Sequence, residues 1–114
     1  MITQELGFLT ADRLAALDAL VKTIVEAVHP IRIVLFGSTV RGQAGPDSDL
    51  DLLVVMPDGT HRRQTAQYLY GHIEGVRIPY DIIVATSTDL AEYGQTQGLV
   101  YRDVLREGTV VYAA

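Results

Sequence analysis

The chain has 114 residues, of which 48% are hydrophobic, and it carries a formal net charge of −5 and no cysteine. The lack of cysteine excludes disulfides and thiolate zinc sites, and the acidic balance argues against direct nucleic-acid binding, which needs basic patches. Residues 1–10 lack the features of a signal peptide, and no apolar run approaches membrane-spanning length. We therefore expect one cytoplasmic domain, residues 1–114, with a modest core.

The first half of the chain predicts a helix followed by two strands. Thr10 can cap the helix, and His29 followed by Pro30 ends it. Its apolar side chains follow helical spacing and predict that it covers a sheet: Leu14, Leu17, Val21, Ile24, Val25 and Val28. Residues 31–36, IRIVLF, read as a buried strand that stops at a glycine, and the run DLDLLVV at residues 49–55 reads as the next strand.

The second half continues the alternation of helices and strands. After a turn at residues 57–60, residues 61–74 predict a helix that turns Leu69 and Ile73 inward. The later elements, in chain order, are a strand at about residues 76–85, a helical segment capped by Ser87 or Thr88 and broken or kinked at Gly94 and Gly98, a helix at 99–106 ended by Gly108, and a short strand at 109–112. This order predicts an α/β (α+β) fold, a mixed β-sheet with helices packed on it.

The glycine and serine after the first strand could cradle an anion. Gly37 has no Cβ and lets a ligand approach the backbone, and residues 38–41 can open a helical turn whose free N–H groups point at the anion. Ser38 adds a hydroxyl donor. The alternative is an ordinary turn, in which Gly-Ser pairs are common.

Two acids follow at the start of the second strand. Asp49 and Asp51 are two residues apart and would share one side of a strand, where their charges repel unless a cation lies between them. Carboxylates without histidine or cysteine nearby suit Mg²⁺ or Mn²⁺. Alternatively, Asp49 belongs with Asp47 to a turn and Asp51 is merely solvated.

A third acid interrupts a later apolar run. Asp81 lies in IPYDIIVA, which otherwise reads as a buried strand, so its charge needs a partner or a metal. The structural alternative is a salt bridge to an arginine. If the two strands are neighbours, Asp81 joins Asp49 and Asp51 in a three-carboxylate cluster, which suits two metal ions about 3.5–4 Å apart.

The segment GSTVRGQAGPDSDLDLLVV resembles the nucleotidyltransferase signature of the DNA polymerase beta superfamily, and the short chain is similar to its minimal nucleotidyltransferase branch. The resemblance covers about residues 31–57, and Asp81 fits the third carboxylate. It implies the polymerase-beta-like nucleotidyltransferase fold. It also implies that Gly37 and Ser38 hold the triphosphate of ATP and that Asp49 and Asp51 coordinate two Mg²⁺ ions. Asp81 would bind the metal nearest the acceptor and help to deprotonate the attacking hydroxyl, and Arg41 could balance triphosphate charge.

The resemblance also implies a biological role. The minimal branch is known mainly as the antitoxin of toxin–antitoxin modules, paired with an all-helical HEPN ribonuclease toxin to which it transfers AMP on a tyrosine. We therefore expect a protein adenylyltransferase whose site is completed by a second copy of the chain or by a separate acceptor macromolecule. Two alternatives stay open: a module that neutralises its partner by binding alone, and transfer to a small molecule such as an aminoglycoside.

Other polar and aromatic residues carry weaker signals. His29, His61 and His72 have no ligand spacing with the acids and are interpreted as surface or helix-end residues. Tyr68 and Tyr70 are two apart on one helix and cannot both face the core, so their surface is a candidate for contact with another chain. Arg62 and Arg63 lie at the start of that helix, where the dipole disfavours cations. They form either a solvated basic face or a contact with a partner or a phosphate.

Overall fold

The computed structural model describes residues 9–37, 49–93 and 100–114. Their elements, in chain order, are α1 (Ala11–Val28), β1 (Arg32–Phe36), β2 (Leu50–Met56), α2 (Arg62–His72), β3 (Tyr80–Thr86), α3 (Ser87–Tyr93), α4 (Val100–Glu107) and β4 (Thr109–Ala113). This order agrees with the predicted one over the described residues. The predicted helical turn at 38–41 and the predicted breaks at Gly94 and Gly98 lie outside them.

The four strands form one mixed sheet in the order β3-β2-β1-β4. Strand β1 pairs antiparallel with both β2 and β4, whereas β2 and β3 are parallel. Parallel neighbours need a crossover connection, and α2 provides it between β2 and β3. The mixed sheet with packed helices confirms the predicted fold class.

Helices cover both faces of this sheet. On one face, α1 and α2 pack against the strands through fully buried side chains that include Leu20, Leu52 and Leu69. On the other face, α3 and α4 pack through Leu90 and Val104 against a smaller cluster that includes Leu53. Burial on both faces explains why β2 reads as a continuous apolar run rather than an alternating one.

The ends of α1 lie where the sequence predicts them. The Thr10 hydroxyl oxygen accepts a hydrogen bond from the Arg13 backbone N–H at 3.3 Å, which caps the first turn. At the other end, His29 adopts the left-handed conformation with φ 48°, and its N–H donates to the Val25 carbonyl. None of the helices in the described parts of the chain has the length and hydropathy needed to cross a membrane.

The predicted start of the third strand is wrong by a few residues. Strand β3 begins at Tyr80 rather than near Val76 because Gly75 takes a positive φ of 76° and Pro79 precedes the strand. Proline cannot donate to a ladder, but the Pro79 carbonyl still accepts from the Leu50 N–H at 2.9 Å. Pairing between the two parallel strands therefore starts at Leu50 and Tyr80, one residue before the acids.

The cap of α3 is also different from the predicted one. Thr86, rather than Ser87 or Thr88, caps it: the Thr86 hydroxyl accepts from the Asp89 N–H at 3.2 Å, and the Asp89 carboxylate accepts from the Thr86 N–H at 2.9 Å. This reciprocal arrangement is a capping box with aspartate as the acid. The helix thus starts directly at the end of β3, without a loop.

Candidate functional site

Asp51 and Asp81 face each other across two neighbouring strands. The parallel register of β2 and β3 pairs the Cα of Asp51 with that of Asp81, at the second position of each strand. Partners in such a pair project to the same face of the sheet. The predicted condition for a joint site, that the two strands be neighbours, is confirmed.

Asp81 is exposed, which corrects the expectation of a buried charge. The residue lies near the start of β3, and β3 is an edge of the sheet, so water reaches a position that the apolar run assigned to the interior. Asp51 is partly buried because β2 lies inside the sheet. The two carboxylates therefore differ in exposure although they are adjacent.

Gly37 lies against the carboxylate of Asp51. Its φ of 85° is a left-handed conformation that side chains rarely adopt, and a Cβ built there would collide with Asp51 Oδ2 and lie 3.1 Å from Asp51 Cγ. The antiparallel register brings this about, because Phe36 at the end of β1 pairs with Asp51. Glycine is needed here because the acid itself approaches the backbone, a reason that the sequence pattern alone did not give.

Tyr70 holds Asp81 from α2. Its hydroxyl donates to Asp81 Oδ1 at 2.8 Å and accepts from the Ile82 backbone N–H at 2.8 Å. Burial raises the pKa of Tyr70, and the neighbouring Asp81 carboxylate raises it further, so the hydroxyl stays protonated and acts as a donor. The sequence predicts only that the surface of Tyr68 and Tyr70 is a candidate for contact with another chain, because a hydrogen bond between a helix and the next strand leaves no local sequence pattern.

The remaining predicted site residues are only partly described. Asp49 is exposed and directly precedes β2, at the same end of the sheet as the two paired acids. Ser38 and Arg41 lie outside the described residues. Among residues 9–37, 49–93 and 100–114, no three histidine, cysteine, aspartate or glutamate side chains form a ready-made metal-binding group. The paired acids Asp51 and Asp81 are the part that the fold itself brings together.

The arginines at the start of α2 lie away from the acids. Arg62 forms an ion pair with Asp89 at 3.3 Å rather than with Asp81. An open cleft of about 560 Å³ is lined here by Thr60, His61, Arg62, Arg63, Ala66 and Val84. His61 is the N-cap of α2, since its Nδ1 accepts from the Gln64 N–H, and His29 caps the end of α1. The interpretation of His29 and His61 as helix-end residues is therefore confirmed.

The donor set at the paired acids suits a divalent cation. Two carboxylates on adjacent positions repel each other unless a positive charge compensates them, and carboxylate oxygens are the donors that Mg²⁺ and Mn²⁺ prefer. Gly37 adds no side chain of its own next to Asp51. Asp51 and Asp81 are therefore the paired carboxylates that could hold such an ion.

A comparison with known protein families identifies the family to which this chain belongs. The family described as "Nucleotidyltransferase domain" matches residues 17–110 of the chain, a stretch that contains all three acids and Gly37. The chain belongs to the nucleotidyltransferase domain family. This membership confirms the superfamily resemblance of the sequence motif and gives the chain a nucleotidyl-transfer function.

A solved structure has the same fold as this nucleotidyltransferase domain. It comes from Sulfolobus solfataricus and is described as a candidate nucleotidyltransferase; its TM-score is 0.53 at 20% identity, and the match covers 87% of each chain. At this identity the likeness concerns the fold alone. A comparison with curated proteins gives no match. The fold of the solved structure is therefore consistent with the family match.

Proposed function

We propose that this nucleotidyltransferase transfers AMP from ATP to a hydroxyl of a partner protein, with Mg²⁺ as the cofactor. The observation that carries the proposal is the pairing of Asp51 with Asp81 next to Gly37, in a chain of this family. Asp49, Asp51 and Asp81 are the proposed metal ligands. Gly37 and Ser38 are proposed to hold the triphosphate, with Arg41 balancing its charge.

The proposed reaction is an in-line displacement at the α-phosphorus. The oxygen of the acceptor hydroxyl attacks the phosphorus, the bond to the pyrophosphate group breaks, and the proton of the hydroxyl passes to Asp81. Bound Mg²⁺ ions would stabilise charge on the attacking and leaving oxygens. The chain's own contribution is to place the carboxylates and to fix the nucleotide relative to the acceptor.

The exposure of the acids supports an acceptor that is itself a macromolecule. Asp49 and Asp81 are both exposed at one end of the sheet, where a side chain of another protein can reach them. A small-molecule acceptor would need a pocket that encloses most of its surface. The cleft next to Arg62 lies near the other end of α2 from Tyr70, so it does not provide that enclosure at Asp81.

The proposed partner is an all-helical HEPN ribonuclease toxin, and the proposed acceptor is one of its tyrosines. This part rests on the resemblance of residues 31–57 to the minimal nucleotidyltransferase branch. In this role the chain is the antitoxin, and adenylylation of the toxin abolishes its ribonuclease activity. A second copy of the chain is the other candidate to complete the site.

An assay with labelled ATP tests both the catalytic activity of the chain and the identity of its partner. The chain is incubated with ATP labelled at the α-phosphate, Mg²⁺ and the product of the adjacent gene. We expect label on the partner, and we expect Asp49→Ala to abolish both the label and the neutralisation of the partner. Asp18→Ala is the matched control, because Asp18 is an exposed aspartate on α1. It should label the partner like the wild type.

Two outcomes would change the proposed function. Full neutralisation by Asp49→Ala without label would make the chain a module that acts by binding alone. Label on a small molecule with an alcohol group, and none on any protein, would make it a small-molecule nucleotidyltransferase.

A further inference from the structure

We propose that Tyr70 is a positioning residue for Asp81: its hydroxyl fixes the carboxylate in the orientation in which it binds the metal ion. This inference rests on the proposed function of Asp81 as a metal ligand and adds a residue that the family motif does not contain. Its basis is the pair of hydrogen bonds at 2.8 Å that link Tyr70 to Asp81 and to the backbone of Ile82.

The direction of the two hydrogen bonds follows from their chemistry. A backbone N–H can only donate, so the Tyr70 oxygen accepts from Ile82. The single proton of the phenol is then available for Asp81 Oδ1. The carboxylate therefore receives a donor whose position is fixed by the backbone of the next residue in the same strand.

The aromatic ring of Tyr70 is itself held in place. It stacks on Tyr80 with a centroid distance of 5.9 Å and an interplanar angle of 13°. The preceding residue, Leu69, is fully buried and anchors α2 on the sheet. Because the ring and the hydroxyl are both constrained, Tyr70 holds Asp81 in one orientation rather than following it.

The position of β3 explains why a side chain from α2 can do this. Strand β3 is at the edge of the sheet, so alternate N–H groups along it have no neighbouring strand to pair with. The Ile82 N–H points to this edge, and Tyr70 reaches around it from the α2 face. One tyrosine thus satisfies an edge donor and fixes Oδ1, which leaves Oδ2 open to a metal ion.

Hydrogen bonds to a carboxylate that itself binds a metal ion commonly have large effects on metal binding. A partner that orients a ligating carboxylate is worth about 10- to 100-fold in metal affinity or activity. A residue that only stabilises the fold changes the free energy of unfolding without changing the affinity of the folded protein for metal. Metal affinity therefore distinguishes the two roles.

The test measures Mn²⁺ binding by electron paramagnetic resonance, in the absence of nucleotide, for Tyr70→Phe and the wild type. Phenylalanine keeps the ring on Tyr80 and removes only the hydroxyl. We expect the dissociation constant of Mn²⁺ to rise about 10-fold or more. In transfer assays the concentration of Mn²⁺ at half-maximal rate should rise in parallel, while the KM for the acceptor stays constant.

Tyr68→Phe is the matched control. Tyr68 is on the same helix, is exposed to a similar degree, 49% against 43%, and stacks on His72 with a centroid distance of 4.6 Å. Its variant should bind Mn²⁺ like the wild type. Circular dichroism and thermal unfolding check that both variants are folded at the temperature of the binding measurement.

Three results would overturn the role of Tyr70. The first is a Tyr70→Phe variant that is folded and binds Mn²⁺ with wild-type affinity. The second is an equal loss in Tyr68→Phe, which would make the effect general to the helix. The third is an AMP adduct on Tyr70 in the mass spectrum after incubation with ATP and Mn²⁺, which would make Tyr70 an acceptor. Failure of the proposed function would instead appear in the wild-type protein, which would then show neither Mn²⁺ binding nor nucleotidyl transfer.

Discussion

Single residues at the paired acids make contacts that the sequence alone does not predict. The sequence predicts that Gly37 lets a ligand approach the backbone, and the structure adds a second constraint, because the Asp51 carboxylate lies where a Cβ of residue 37 would be. Asp81 was expected to be a buried charge, and it is an exposed carboxylate held by Tyr70. In both cases the residue type is informative, but the neighbour that gives it meaning comes from another strand or helix.

Gly37→Ala should disturb the site beyond its cost to stability. A left-handed φ costs a side chain about 1–2 kcal/mol, and the new Cβ would also displace Asp51. Gly59→Ala is the control, because Gly59 has a similar φ of 90° with nothing within 4 Å of the added Cβ. We expect both variants to lose stability in urea unfolding, and only Gly37→Ala to lose Mn²⁺ affinity. Equal Mn²⁺ affinity in the two variants would show that the contact with Asp51 has no role in binding.

At the scale of elements, α4 ends against β1 at a glycine that tolerates no side chain. A Cβ on Gly108 would lie 2.5 Å from both the Val104 carbonyl oxygen and Val34 Cγ1, and 3.3 Å from the Leu35 carbonyl oxygen. Two of these three neighbours are backbone atoms, which cannot move aside as the end of a side chain can. The sequence predicted Gly108 only as the end of the helix.

Gly108→Ala should therefore lower the free energy of unfolding by about 1–3 kcal/mol, as overpacking does. Gly71→Ala, on the exposed side of α2, is the matched control: nothing lies within 4 Å of its added Cβ. Alanine there should raise stability by up to about 1 kcal/mol because it favours the helix. Denaturant unfolding of the two variants gives the comparison, and a neutral Gly108→Ala would mean that α4 can shift away from β1.

The carboxylate of Asp58, in the loop before α2, is hydrogen-bonded to the start of α3. Asp58 Oδ1 accepts from the Thr88 N–H at 2.8 Å. Hydrogen bonds from the Thr88 side chain and backbone lower the pKa of Asp58 below its ordinary value. Because the pKa of Asp58 is lower in the folded state than in the unfolded state, its ionised form stabilises the folded state at pH values above the unfolded-state pKa. This contribution disappears as the pH falls through the folded-state pKa.

Acid unfolding should reveal this contribution. Asp58→Asn keeps an acceptor oxygen for Thr88 but removes the charge, so its stability should fall less steeply than that of the wild type below about pH 4. Asp18→Asn removes one negative charge from an exposed position on α1 and controls for net charge. Parallel stability curves for Asp58→Asn and the wild type through this range would refute the role of Asp58.

At the scale of the whole molecule, the central strand β2 is buried on both faces. Leu52 belongs to the core under α1 and α2, and Leu53 belongs to the smaller core under α3 and α4. Both side chains are 0% exposed. A sheet with helices on one face only would leave one of the two in water.

Leu52→Ala and Leu53→Ala should each lower the free energy of unfolding by about 2–5 kcal/mol. Val110→Ala on β4 is the control, because Val110 is 39% exposed, and it should change stability by less than about 0.5 kcal/mol. Guanidinium unfolding followed by circular dichroism measures all three. A nearly neutral Leu53→Ala would show that α3 and α4 do not cover the sheet.

The sequence alone determined the features that depend on local order. Strand and helix positions follow from apolar periodicity and from caps such as Thr10, and the glycine followed by an Asp-x-Asp pair indicates the superfamily. These signals depend on residues that are close together in the sequence, so the sequence itself contains them. The wrong strand start, at Tyr80, falls where a turn residue and a proline compete with a strand pattern.

Only the tertiary structure decided which residues meet at the acids. Asp51 and Asp81 pair because α2 returns the chain into a parallel strand in one particular register, and a slip by one residue would turn one acid to the opposite face. Tyr70 reaches Asp81 because β3 is an edge strand, and edge or centre is a property of the sheet and not of the strand. Register and strand order arise from packing between distant segments, which is why no local pattern encodes them.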